Sequence, residues 1–244
     1  MKKLIAALAA ALAAGPAFAD HRQIDVEDNT FIPSARIGID IWPRGEQPSV
    51  PHSGHGIEIG YTGTSGEDSQ TRRAGAPTLT FGGQSFAAPT TTTLNYDFDF
   101  RFFELAYRFR HFFGASRAFG IEALGGLGWA ELDLGVSSAT QSAREKLQSG
   151  GLVAGFGIVW KFLPQTSLQS RITVFGSGEQ EGVTGAARFD VFVAQALGRH
   201  AAVRVGLTSW GLASERDEDD DFGSINSHLR ASFGGLALGL ELAF

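Results

Sequence analysis

Nine charged residues recur at alternate positions of otherwise apolar, glycine-rich stretches: Glu104, Arg108, Glu122, Lys161, Arg171, Arg188, Asp190, Arg204 and Glu241. Their spacers include Gly120, Gly126, Gly128, Gly155, Gly157, Gly206 and Gly239. Carboxylates and guanidiniums at such spacing, facing into a narrow bore, can pair across it as a plug or line a gate or narrow solute path. Acyl or peptide hydrolysis would also need a nucleophile and a base within reach. Ser227-His228, beside Asp219–Asp221, is the candidate for that chemistry. Successive strand residues point to opposite faces, so these two would not bond to each other. His21, His52, His55, His111 and His200 stand near turns or ends with no shared spacing. The densest charge run, Glu215 to Asp221, lacks the spaced ligands and turn glycine of a calcium loop, and reads as a solvated loop. We therefore expect no catalytic residues, no metal site and no cofactor, and take the nine charges as a lumen network.

The elements that would position these charges are strands. In the C-terminal run, Leu236, Leu238, Leu240, Leu242 and Phe244 are large and apolar, while Ala237, Gly239, Glu241 and Ala243 are small or charged. Period-two alternation of this kind sets one face in an apolar medium and the other in a cramped polar one. The pattern recurs along the chain. A strand over 34–43 precedes one holding Ile57, Ile59 and Tyr61, and residues 63–90 form a polar loop with a small hairpin at Leu79–Phe86. A very long strand spans Thr92–Phe112, its outward set beginning Leu94, Tyr96, Phe98, Phe100 and continuing as Phe103, Leu105, Tyr107, Phe109. That change of parity predicts a β-bulge at Phe102-Phe103, and a similar shift predicts another at Gly234-Gly235, turning His228 and Arg230 inward. Further strands are expected over 118–134, 150–162, 168–175, 184–197, 201–212 and 226–244. Short turns (114–117, 164–166, 198–200) alternate with longer polar loops (135–149, 176–182, 213–224). Trp160, Phe162, Phe109, Phe112, Phe119 and Phe244 lie close to short turns and would form an aromatic girdle.

Residues 1–19 read as a signal peptide, with Lys2-Lys3, an apolar run and Ala17-Phe18-Ala19, and residues 20–244 as a single domain. Removing that segment takes the formal net charge from −6 to −8, which argues against a nucleic-acid partner. The chain has no cysteine, so no disulfide holds it. Beyond the leader no stretch of 18 apolar residues occurs, which excludes helical spanning but not spanning by strands.

The leader, the run Gly125–Trp129, the hairpin Gly155–Leu168 and the ending Leu240–Phe244 resemble small Gram-negative outer-membrane β-barrel proteins, the broad group around the OmpA transmembrane domain, OmpX and OmpW. The resemblance covers residues 92–244. It implies an all-β, antiparallel up-and-down transmembrane barrel with short periplasmic turns and longer extracellular loops. Barrels of this group have even strand counts, so eight or ten strands are expected, according to how 20–43 and 76–82 are used. It also implies location in the outer membrane and a C-terminal assembly signal at Leu240, Leu242 and Phe244, read by the barrel assembly machinery. Outer-membrane lipids, lipopolysaccharide among them, would be the surrounding partners. The expected function is non-catalytic: a charge-paired, largely plugged lumen in a structural or surface-interaction role. The alternative is a narrow channel for small or apolar solutes, with a lipid-modifying enzyme a distant third.

Overall fold

The computed structural model describes residues 22–28, 34–41, 53–114, 116–178, 183–198, 200–218 and 225–243, with backbone alone for 22–36, 40–41, 213–218, 225–233 and 243. The expected leader at 1–19, Phe244 and the acidic stretch 219–221 lie outside the described residues.

The chain is all β. Its strands are β1 (Arg22–Asp28), β2 (Ser34–Ile41), β3 (Gly54–Arg72), β4 (Leu79–Phe81), β5 (Gln84–Phe86), β6 (Thr92–Phe113), β7 (Phe119–Ser137), β8 (Ser142–Leu163), β9 (Thr166–Ser177), β10 (Gly185–Ala196), β11 (Ala201–Glu218) and β12 (Ile225–Ala243). β4 and β5 make a separate hairpin, turned by Gly82 and Gly83, both at positive φ as the mirror-image hairpin turn requires. In the main sheet β2, β3 and β6 to β12 follow in order, each antiparallel to the next, and β12 returns to pair with β2. The sheet is a closed ring of nine strands, neither of the expected eight or ten. With an odd number of alternating strands the first and last run the same way, so the closing pair β12–β2 is parallel. β1 does not add a tenth position. It pairs with the upper part of β12 (Asp28 opposite Phe233) while β2 pairs with the lower part (Ala35 opposite Leu238), so the two run in tandem along one edge.

At one end of the ring the connections after β6, β8 and β10 are short; this is the turn end. At the other, the loop end, β3, β6, β7 and β8 run on well beyond the last β9 pairing, which stops at Gly151 opposite Ser177. Residues 63–72, 135–137 and 142–149, expected as loop, are strand, because their alternation continues with the two faces exchanged.

That exchange is the main architectural finding. On β6 the even positions face inward throughout: Leu94, Tyr96, Phe98, Phe100 and Phe102 near the loop end, then Glu104, Arg108 and Arg110 toward the turn end, all buried. The odd positions face outward, reading Asp97, Asp99 and Arg101, then Phe103, Leu105, Tyr107 and Phe109. The register to β3 and β7 is unbroken across Phe102-Phe103, so no bulge exists there, and Leu94, Tyr96, Phe98 and Phe100 lie inside the ring rather than outside it. The parity shift marks a change in which face carries the large apolar side chains along a regular strand. β7 does the same, with Ala130, Leu132, Leu134 and Val136 buried above and Leu127, Trp129 and Phe119 exposed below. The register is also continuous at Gly234-Gly235, so the second expected bulge is absent; the side chains of His228 and Arg230 lie outside those described. An irregularity stands between Lys161 and Leu163 on β8.

Candidate functional site: the charged interior

Around the turn-end half of the ring, β3, β6, β7, β9, β11 and β12 each point a charged side chain inward, and these meet at the centre. Glu58 is the hub. Its Oε2 accepts from Arg108 Nη1 at 3.0 Å and its Oε1 from Arg171 Nη2 at 2.5 Å, with Arg204 Nη1 3.6 Å away. Glu122 accepts from Arg110 Nη2 at 2.5 Å and Arg171 Nη1 at 3.1 Å. Glu241 Oε1 accepts from Arg110 Nη1 at 2.6 Å and Arg108 Nη2 at 3.3 Å. One level toward the loop end, Arg188 donates to Glu104 at 2.9 Å and to Asp190 at 3.0 Å, and Thr208 donates to Asp190 at 2.7 Å. Arg171 Nε, 3.8 Å from Asp190, links the two levels.

Every one of these groups is buried. An isolated buried ion costs several kcal/mol, and removing one member of a buried pair typically costs about 3–5 kcal/mol because the other is stranded. Sharing each carboxylate among several guanidiniums offsets that cost. Room for them comes from glycine: a Cβ on Gly38 would sit 3.0 Å from Arg108 Nη1, and one on Gly239 would sit 3.0 Å from Arg204 Nε.

Of the nine expected lumen charges, Glu104, Arg108, Glu122, Arg171, Arg188, Asp190, Arg204 and Glu241 occupy this lattice. Lys161 stands apart at the turn end, its Nζ 4.2 Å from the centroid of the Phe112 ring. Phe112 is therefore inside the ring, 5 % exposed, and not in an outer girdle, whereas Phe109, Phe119, Trp160 and Phe162 are exposed outside. Glu58 and Arg110 were missed as members. Their signal was present in parity: Glu58 alternates with Ile57 and Ile59, and Arg110 shares the face of Arg108.

Above the charges the interior turns apolar. Phe102 packs on Phe175 and Trp210 with centroids 5.5 and 4.9 Å away, Phe100 packs on Trp210 at 5.3 Å, and Arg188 lies over the Trp210 ring at 5.0 Å. Leu132, Leu134, Phe98 and Tyr96 continue this core up to Leu79 and Phe86 of the β4–β5 hairpin, which covers the loop end. The hairpin is tied down by Arg72, which donates to the Phe86 and Pro77 carbonyls, and by Gln141, which donates to Ser85 O at 2.9 Å.

The outer face at the same height is ionic. Arg101 pairs with Asp99 and Glu131, Lys146 with Glu131, and Arg144 with Asp97 and Asp133; Asp97, Asp99, Asp133 and Arg144 line a groove of about 400 Å³. The hydrogen bond from Lys146 holds the Glu131 carboxyl below the usual carboxylate range.

Ser227 and His228 stand opposite Arg216 and Glu215 of β11 and Arg22 and Gln23 of β1, away from the central lattice. His55, on the outer face, hydrogen-bonds Tyr107, and His111 packs edge-on against Phe113. The central lattice supplies charge compensation among buried groups. No family model, curated protein or solved structure matches this chain.

Proposed function

We propose that this chain is an exported outer-membrane β-barrel protein of a Gram-negative bacterium, non-catalytic, with an occluded interior and a structural or surface-interaction role. The observation that carries this reading is the exchange of faces midway along the strands. Toward the loop end the ring is built as a water-soluble β-protein, apolar within and ionic without. Toward the turn end it is built the other way, with ion pairs within and Phe103, Leu127, Leu152, Phe156, Val205 and Leu238 presented outside. A sheet face so apolar must be covered, and no second layer of the described chain covers it. From Phe103 to Phe113, at the usual rise per residue and barrel tilt, the apolar band is about 25 Å tall, which suits an outer-membrane hydrocarbon layer.

In this reading the turn end is periplasmic, the expected leader directs export, and Leu240, Leu242 and Phe244 present the assembly machinery with its signal. Lipopolysaccharide and phospholipid surround the band, and the loop-end half stands above the membrane surface. Occlusion at two levels, by the ion-pair lattice and by the aromatic core under the hairpin, favours a plug over a pore. Refolded protein in planar bilayers is expected to give no unitary conductance. Steady unitary steps would overturn the occluded reading in favour of a narrow channel.

A further inference from the structure

β3 is paired on both sides only in its turn-end half. β6 pairs with it along its whole length, from Gly54 to Arg72, whereas β2 pairs with it only from His55 to Thr62. From Gly63 to Arg72 one edge of β3 therefore has no ladder partner among the described residues. Ser69 marks that edge: its N–H donates to the carboxylate of Asp68, its own neighbour, at 2.7 Å. Alternate residues of a strand serve alternate edges, so the N–H and C=O groups of Ser65, Glu67 and Thr71 point the same way as those of Ser69. The stretch has no proline, no lysine and no bulge to keep a further strand away.

Its one selective feature is charge. Glu67 stands on the outer face directly opposite Asp97 of β6, and Asp68 on the inner face, and neither has a cationic partner among the described residues. Arg72, at the end of the edge, is turned to the hairpin carbonyls. Like charges set opposite one another on paired strands destabilise the pairing, and opposite charges favour it. A second copy of this chain would bring Glu67 and Asp68 against acidic residues. β1, whose sequence holds Asp25, Glu27 and Asp28, passes near β3 but makes its ladder with β12.

We infer that the Gly63–Arg72 edge of β3 is a docking site for a basic, extended peptide segment of another protein. The segment adds as a further strand antiparallel to β3, as β2 does below it, with main-chain hydrogen bonds for hold and Lys or Arg beside Glu67 and Asp68 for selection. This gives the surface-interaction role proposed above a partner class and rests on that part of the reading; the occluded barrel is tested separately, by conductance.

The test uses the full chain refolded in detergent and a ten-residue peptide of alternating Lys and Thr, capped at both ends. Binding should saturate and slow amide hydrogen exchange at Ser65, Glu67 and Thr71. Replacing its Lys by Glu, or methylating its peptide nitrogens, should each weaken binding roughly tenfold or more. Glu67→Lys combined with Asp68→Lys should exchange the preference, favouring the Glu peptide. Should that variant fail to fold, the methylated peptide and the exchange map decide on the natural chain. Absence of saturable binding overturns the proposal. Binding that spares those amides, or that the methylated peptide matches, means ionic adhesion only and overturns it as well. Amides already protected in a dimer of the free chain assign the edge to a second copy, which also overturns it.

Discussion

Phe156 tests the exchange of faces most directly. It lies on the outer face of β8, 56 % exposed, midway between Leu152 and Trp160 and opposite Ala123 and Ile172 on its neighbours. Were that face in water, Phe156→Arg would be one more exposed substitution, shifting stability within about 0.5 kcal/mol. In the middle of an apolar band, arginine costs about 2–4 kcal/mol, which lowers the folding equilibrium constant roughly 30- to 1,000-fold. The control is on the same strand and the same outer face: Gln148, above the exchange, hydrogen-bonded to Glu131 in the ionic collar. Gln148→Arg is expected to cost close to nothing, and Leu152→Arg, near the boundary, about 0–1 kcal/mol. Equilibrium guanidinium unfolding in phospholipid vesicles, followed by tryptophan fluorescence, measures all three. Equal and small effects at 148 and 156 would refute the placement of the boundary and with it the membrane reading.

Two further perturbations probe the interior and the collar. Glu58→Gln removes the negative charge between Arg108 and Arg171 and replaces one of the two acceptor oxygens with a donor, and is expected to destabilise by about 3–5 kcal/mol in the same unfolding assay; adding Arg171→Met should recover part of that loss, a coupling a mere packing defect would lack. For the collar, Glu131 has a carboxyl pKa depressed by Lys146, so its contribution to stability is present above the unfolded value near 4.3 and fades as pH falls through the folded value. Lys146→Met should flatten that acid-side decline, read as unfolding midpoints from pH 6 to pH 3.

Much of this was legible in the chain, and the errors over faces and bulges share one cause. Alternation says which residues share a face; it does not say what lies beyond that face. Leu94 to Phe100 and Phe103 to Phe109 are equally apolar and differ in parity, and a uniform medium can reconcile them only through a bulge. In the proposed membrane reading a strand that crosses from water into an apolar layer reconciles them with no irregularity, because inside and outside trade requirements at the crossing. The lumen charges were legible for the opposite reason: between large apolar neighbours such as Val203 and Val205, Arg204 has one direction left to point. Strand number was legible in the alternation, which gives two strands before Thr92 and seven from it onward; the even count of the resembled group moved the expectation to eight or ten, and the register of β1 and β2 against β12 shows that they share one edge.

The parallel seam has a kinetic consequence. Every other pairing in the ring joins sequence neighbours, apart from the longer excursion between β3 and β6, so most of the wall can zip up hairpin by hairpin. The seam joins residues roughly 200 positions apart, such as Ala35 and Leu238. Bringing ends that far apart together costs about 3–4 kcal/mol more loop-closure entropy than a turn of a few residues, and the reward is two short parallel ladders. On this entropy the seam is the most costly pairing of the ring to close, and it needs the last strand in place before it can form.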